Sequence, residues 1–229
     1  VRHDLDIVIR FSINSTYLSN NHTNMELKDD NTLRFWQWFV KNEKTIKECI
    51  ENEHSSHREY VVEQMNEQIL SLGLLTWDIG LNDDEHWFLM ISPNGNQDML
   101  KVSQKIMAAA PEHMDWLFYD SKPAKKWNRQ FTIYDNYMDE QFIDASQWHY
   151  IVFEGNDGKL ELIIEAKNIS HLDPEVAKTA AEQFLIYEIG EITRIQHIST
   201  IAIVHTIEDE YQPSKTLVTE LKEHLAEII

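Results

Sequence analysis

One short segment sets an acid and a base side by side. In Leu160-Glu161-Leu162-Ile163-Ile164-Glu165-Ala166-Lys167-Asn168, the alternation of side chains along an extended chain puts Glu161, Ile163, Glu165 and Lys167 on one face. Leu160, Leu162, Ile164 and Ala166 fall on the other. The Glu165 carboxylate beside the Lys167 ammonium is the sharpest catalytic candidate in the chain. The plainer reading is the solvated face of an amphipathic strand, where a same-face Glu/Lys pair contributes about a few tenths of a kcal/mol.

A second candidate is the basic stretch Lys122-Pro123-Ala124-Lys125-Lys126-Trp127-Asn128-Arg129. Cations interleaved with an aromatic can hold a single nucleic-acid strand by phosphate pairing and base stacking. A solvated loop with its Trp tucked against the core has the same composition. Eleven His residues prompt a search for metal ligands, yet His54 and His57 straddle a helix break and no HExxH is present. His149, His197 and His205 lie in or beside predicted strands, so no metal is assigned. Glycine-rich phosphate loops and nucleophile elbows are missing too, and with six Gly in 229 residues no nucleotide cofactor is expected.

Charge narrows the choice of partner. The chain carries 39 acidic and 20 basic residues, a net charge of −19, and residues 135–229 alone carry 19 acids against 6 bases. Such a surface repels phosphate backbones and anionic lipid and attracts basic proteins. The single Cys49 cannot form an internal disulfide and falls on the apolar stripe of a predicted helix, which suits packing in a reducing compartment. Without a run of about 20 apolar residues the chain has no membrane span, and a cytoplasmic location is expected.

The elements that must position these residues are legible as periodicity. Residues 1–30 are expected to form a poorly ordered extension: either Asp6 to Ile13 makes one short strand, or translation starts at Met25 and residues 1–24 are an upstream extension, the second being the working hypothesis. A single α+β domain follows over 31–229, built from two similar halves, about 31–134 and 135–229. Phe35, Trp36, Phe39, Val40, Ile46, Cys49 and Ile50 mark one helix, and Val61, Met65, Ile69 and Leu72 a second, together a helical hairpin. On the first helix Trp38 falls off the stripe, where it either packs or anchors a partner. Strands over 75–81 and 86–92, a helix over 97–109 and a strand over 114–119 come next. The order then repeats with strands over 148–154 and 159–167, a helix over 174–189 and a strand over 198–206, and a last helix starts at Ser214. Between the two sets, Phe131 to Tyr134 reads as a strand and Tyr137 to Ile143 as a second strand or an irregular link. These are two strand-strand-helix-strand units preceded by a helical hairpin, with mostly antiparallel sheets.

Two resemblances follow from the residues. The Glu165-Ala166-Lys167 strand resembles the acid-x-lysine motif of restriction-endonuclease-like nucleases. That resemblance implies a divalent metal held by Glu165 and an upstream acid, Asp144 or Asp157, with Lys167 orienting the attacking water. Gln183 and Tyr187 loosely match a Gln-and-Tyr helix of some such enzymes, whereas Asp157 departs from the pattern by sitting in the hairpin turn. Separately, Phe35-Trp36-Gln37-Trp38-Phe39, Ile91-Ser92-Pro93-Asn94-Gly95, Ala110-Pro111 with Trp116, and Ile189-Gly190-Glu191 together look like an uncharacterised bacterial domain family, over roughly residues 33–205. It implies a bacterial cytoplasmic protein of similar layout and no activity. In that set Gly190 reads as a helix cap and Glu191 as a surface acid.

Weighed together, these features favour a non-enzymatic binding or regulatory domain that meets a basic protein through an acidic face, as an immunity protein would. The metal-dependent nuclease using Asp144, Glu165 and Lys167 is the alternative.

Overall fold

The computed structural model describes residues 8–11, 29–52, 54–82, 84–112 and 114–229. Most of the expected N-terminal extension and the proposed start at Met25 therefore lie outside the described residues. The chain divides into two compact units, Val1–Ser121 and Lys122–Ile229. Its fold class is α+β.

In the first unit, β1 (Val8–Phe11) precedes the helical hairpin of α1 (Asp29–Glu51) and α2 (Arg58–Leu72). β2 (Thr76–Leu81), β3 (Trp87–Ser92), α3 (Gln97–Ala108) and β4 (Leu117–Tyr119) complete it. The sheet order is β1-β2-β3-β4, antiparallel except for the parallel β3/β4 pair. The helix stripes pack as the periodicity requires, with Phe35, Phe39, Ile46, Met65, Ile69 and Leu72 all buried. Trp36 sends its indole N–H to the Ile106 carbonyl at 2.9 Å, so the aromatic core also satisfies its polar handle. Asn96 caps α3 by accepting the Asp98 and Met99 N–H groups.

In the second unit, β5 (Gln130–Tyr134) and β6 (Glu140–Asp144) form a separate antiparallel ribbon. Then come β7 (His149–Glu154), β8 (Leu160–Glu165), α4 (Pro174–Ile189), α5 (Glu191–His197), β9 (Ile198–Val204), β10 (Thr216–Leu217) and α6 (Leu221–Ile228). The sheet order is β10-β7-β8-β9, again with a single parallel pair, β8/β9. Leu160, Leu162 and Ile164 of β8 join Ala180, Ala181, Phe184 and Leu185 of α4 in one core. Asp173 accepts the Glu175 N–H and Pro174 opens α4, where its missing N–H costs nothing.

Both units thus carry a hairpin, a helix and a parallel return strand, and both add one strand to the outer side of the hairpin's first strand. The three hairpins share a turn whose fourth residue is left-handed: Glu85 (φ 60°), Met138 (φ 65°) and Gly158 (φ 74°). In each, the first residue's N–H bonds to the carbonyl of the fifth: Asn82 to His86, Asp135 to Asp139, Gly155 to Lys159. Only one of the three uses the residue that adopts this conformation without steric cost.

Some expectations need correction. Val40 is 36% exposed, because α1 turns its inner stripe away from that position. Tyr137 to Met138 form a turn, and the strand begins at Glu140. The segment before the last helix contains a 3-10 turn over Asp209–Ser214 and the two-residue β10, so α6 starts at Leu221, not Ser214. Periodicity cannot find elements this short. Trp38 is partly buried against the first unit's core.

Replacing Phe184 by Ala should lower the stability of the second unit by roughly 3–5 kcal/mol in urea titration. Val40→Ala should change the first unit by less than about 0.5 kcal/mol.

Candidate functional site

Glu165 ends β8 on the face opposite Leu160, Leu162 and Ile164, and the solvated-strand reading would leave it in water. Instead it is 4% exposed. One carboxylate oxygen accepts the Ile207 N–H at 2.9 Å; the other accepts the Lys215 ammonium at 3.0 Å and lies 3.4 Å from the Lys167 ammonium. Burial pushes this carboxyl up, but the Ile207 N–H and the two lysines outweigh it and hold it at about 2. Glu165 therefore ties the irregular segment after β9 to the middle of the sheet. Lys167 lies just past the strand, in a 3-10 turn over Lys167–Ile169, and its side chain is largely exposed.

Asp144 belongs to a different set of hydrogen bonds. Its carboxylate accepts the Ser146 N–H at 2.9 Å and the Gln130 amide at 3.0 Å, and the Ser146 hydroxyl, then these two bonds, lower its pKa. Its backbone carbonyl accepts from Asn168, whose side-chain oxygen takes the Trp148 indole N–H at 2.7 Å. Asp157 accepts the Lys159 N–H inside the hairpin turn. Glu165 and Lys167 are thus adjacent, while Asp144 and Asp157 each serve their own turn. Among the described residues, no three His, Cys, Asp or Glu side chains gather in a set that could hold a metal ion.

Gln183 and Tyr187 are bonded to each other at 3.2 Å. Tyr187 faces the basic stretch: its ring meets Trp127 edge-on at 5.1 Å and carries the Lys125 ammonium 4.1 Å above its face. The stretch is held at Lys122, Lys125, Trp127 and Arg129 by the end of α4 and the start of α5. Glu188 accepts the Trp127 indole N–H at 3.1 Å and pairs with Arg129 at 2.7 Å, while the Lys125 N–H reaches the Tyr187 carbonyl at 2.7 Å. Glu191, expected as a surface acid, is fully buried and accepts the Lys122 N–H at 2.9 Å. Its own N–H returns to the Lys122 carbonyl. Trp127 packs partly buried against the core, its indole N–H turned inward to Glu188.

Gly190 makes this clasp possible. Its φ of 83° and ψ of 153° belong to a region that only glycine adopts readily, and a Cβ there would stand 3.2 Å from the Ala124 nitrogen. The signal for Glu188 was present in the sequence: it lies four residues beyond Phe184 on the stripe Ala177, Ala181, Phe184, where an acid must be partnered. Lys215 left none, since it meets Glu165 from 50 residues away.

Comparison with known proteins yields no match: no protein-family model, no curated protein and no solved structure is similar to this chain.

Because the folded pKa of Glu165 is depressed, its stabilisation is complete above the unfolded carboxylate range and is lost as pH falls through that range toward about 2. Glu165→Gln should flatten the acid limb of a stability-versus-pH curve between roughly pH 5 and 2. Gly190→Ala should cost roughly 1–3 kcal/mol by the same denaturation assay.

Proposed function

We propose that this chain is a non-enzymatic binding domain that offers an acidic surface to a basic protein, in the manner of an immunity protein or nuclease inhibitor. The observation that carries this reading is that four of the second unit's ten cations are turned to carboxylates of the same unit. Arg129 pairs with Glu188, Arg194 forks onto Glu182 at 2.7 and 2.8 Å, and Lys215 and Lys167 converge on Glu165. These bases neutralise carboxylates in or near the core. Meanwhile Asp139, Glu140, Glu208, Asp209, Glu210, Glu223 and Glu227 stay exposed on a unit with 19 acidic and 10 basic residues. A field of that sign favours a cationic partner and opposes a polyphosphate.

The 3.4 Å approach of Lys167 to Glu165 favours the nuclease alternative. Against it, the Glu165 oxygens already serve Ile207 and Lys215, and the Asp144 oxygens serve Ser146 and Gln130.

Immobilised protein should retain a basic protein from a low-salt lysate of its own cell. Release should follow as salt passes physiological strength, where the screening length is about 8 Å. Magnesium or manganese titration should yield no binding heat and no DNA cleavage. Metal-dependent cleavage abolished by Glu165→Gln would replace this reading with the nuclease.

A further inference from the structure

The β5–β6 ribbon presents large apolar side chains to solvent while its other face is packed into the core. Its inner face, Phe131, Ile133 and Ile143, is buried in the core of the second unit. Its outer face and tip expose Tyr137 (87%), Met138 (74%), Phe142 (68%) and Tyr134 (56%). Scattered single apolar residues on a surface need no explanation, but four within nine residues of one hairpin form a patch.

The tip that carries them is held by its backbone. Asp135 accepts the Tyr137 and Asp139 N–H groups at 2.8 and 3.0 Å and the Gln141 amide at 2.9 Å; its own N–H reaches the Asp139 carbonyl. Met138 takes the left-handed position that Gly158 fills in the β7–β8 turn. An apolar side chain thus stands, at a steric cost, where glycine would relieve strain. On the outer face, Phe142 stands opposite Thr132, and Tyr134 opposite Glu140 with its hydroxyl 3.0 Å from the Glu140 carboxylate.

Charge identifies the occupant. Residues 130–144 contain Asp135, Asp139, Glu140 and Asp144 and no Lys or Arg. Among the described residues, the Asp135, Glu140 and Asp144 carboxylates accept only from amide N–H groups and from Ser and Tyr hydroxyls, never from a cationic side chain. We propose that the outer face and tip of this ribbon dock a basic protein segment bearing apolar side chains: Tyr137, Met138 and Phe142 act as anchors and the four acids as the surrounding counter-charge. Aromatic anchors carry most of the binding energy of an interface, and complementary charge around them sets specificity and the rate of association. This rests on the basic-partner reading above and assigns it a surface.

The test uses the full chain, with backbone amide NMR shifts read against three synthetic probes: a short lysine/leucine peptide, its glutamate/leucine counterpart and a lysine/serine version. The lysine/leucine peptide should shift amides within 130–144, the lysine/serine peptide should bind more weakly, and the glutamate peptide should not bind. Tyr137→Ser with Phe142→Thr should weaken the lysine/leucine peptide about tenfold or more. Met138→Gly, which relieves the turn, checks that the loss is not one of folding. Shifts confined to other parts of the second unit would overturn the ribbon as the docking element and leave the basic-partner reading standing. Failure of both lysine peptides to bind anywhere would overturn both, and equal binding of the glutamate peptide would remove the role of charge.

Discussion

The second unit depends on carboxylates that are buried before they can be useful to anything outside it. Glu188 at the end of α4, Glu191 at the start of α5 and Glu165 at the end of β8 each take an irregular stretch of chain and fasten it to regular structure. An acid buried without partners would be strongly disfavoured. Each of these has backbone N–H groups or cations brought to it, so the cost of burial becomes a constraint on where the Lys122–Arg129 and Ile207–Lys215 segments can lie. Gly190 is the hinge of that arrangement, since the chain must pass close to Ala124 before Glu191 can turn inward.

This use of acids explains how the same residue types carry opposite meanings along one chain. The basic stretch has the composition of a nucleic-acid grip, yet Trp127 and Arg129 are turned to Glu188 and Lys125 lies over Tyr187. The acids of the ribbon, by contrast, meet no cation among the described residues and stabilise turns through neutral donors. Net charge alone does not separate these cases. The separation comes from the surroundings of each carboxylate: Glu188 stands on an apolar stripe, Glu165 is covered by the segment that carries Ile207 and Lys215, and Asp139 and Glu140 stay exposed.

Much of the architecture was legible in the residues. The helix bounded by Pro174 and Gly190, the hairpin closed by Asn156-Asp157-Gly158, and the stripe Val61, Met65, Ile69, Leu72 all follow from local rules of capping, turn chemistry and period. The repeated strand-strand-helix-strand order was readable for the same reason. Less was legible at the candidate site. Alternation correctly placed Leu160, Leu162 and Ile164 inside, but it assigned Glu165 to solvent, because the segment that covers it arrives from beyond β9. Lys215 and Ile207 are chosen by tertiary folding and have no local signature. Short elements such as β10 and α5 were invisible to any periodic test.

The placement of β10 has a consequence for the order in which this sheet is built. Its pairing joins Thr216 and Leu217 to Tyr150 and His149, so the first two residues of β7 are paired on that flank by residues made more than sixty positions later. During synthesis the β7–β8 hairpin and its helix emerge with one flank still bare, and Glu165 waits for Ile207 and Lys215 over the same interval. A ribosome pausing in that window would hold out a nascent sheet with an open margin, which is where association between neighbouring nascent chains begins.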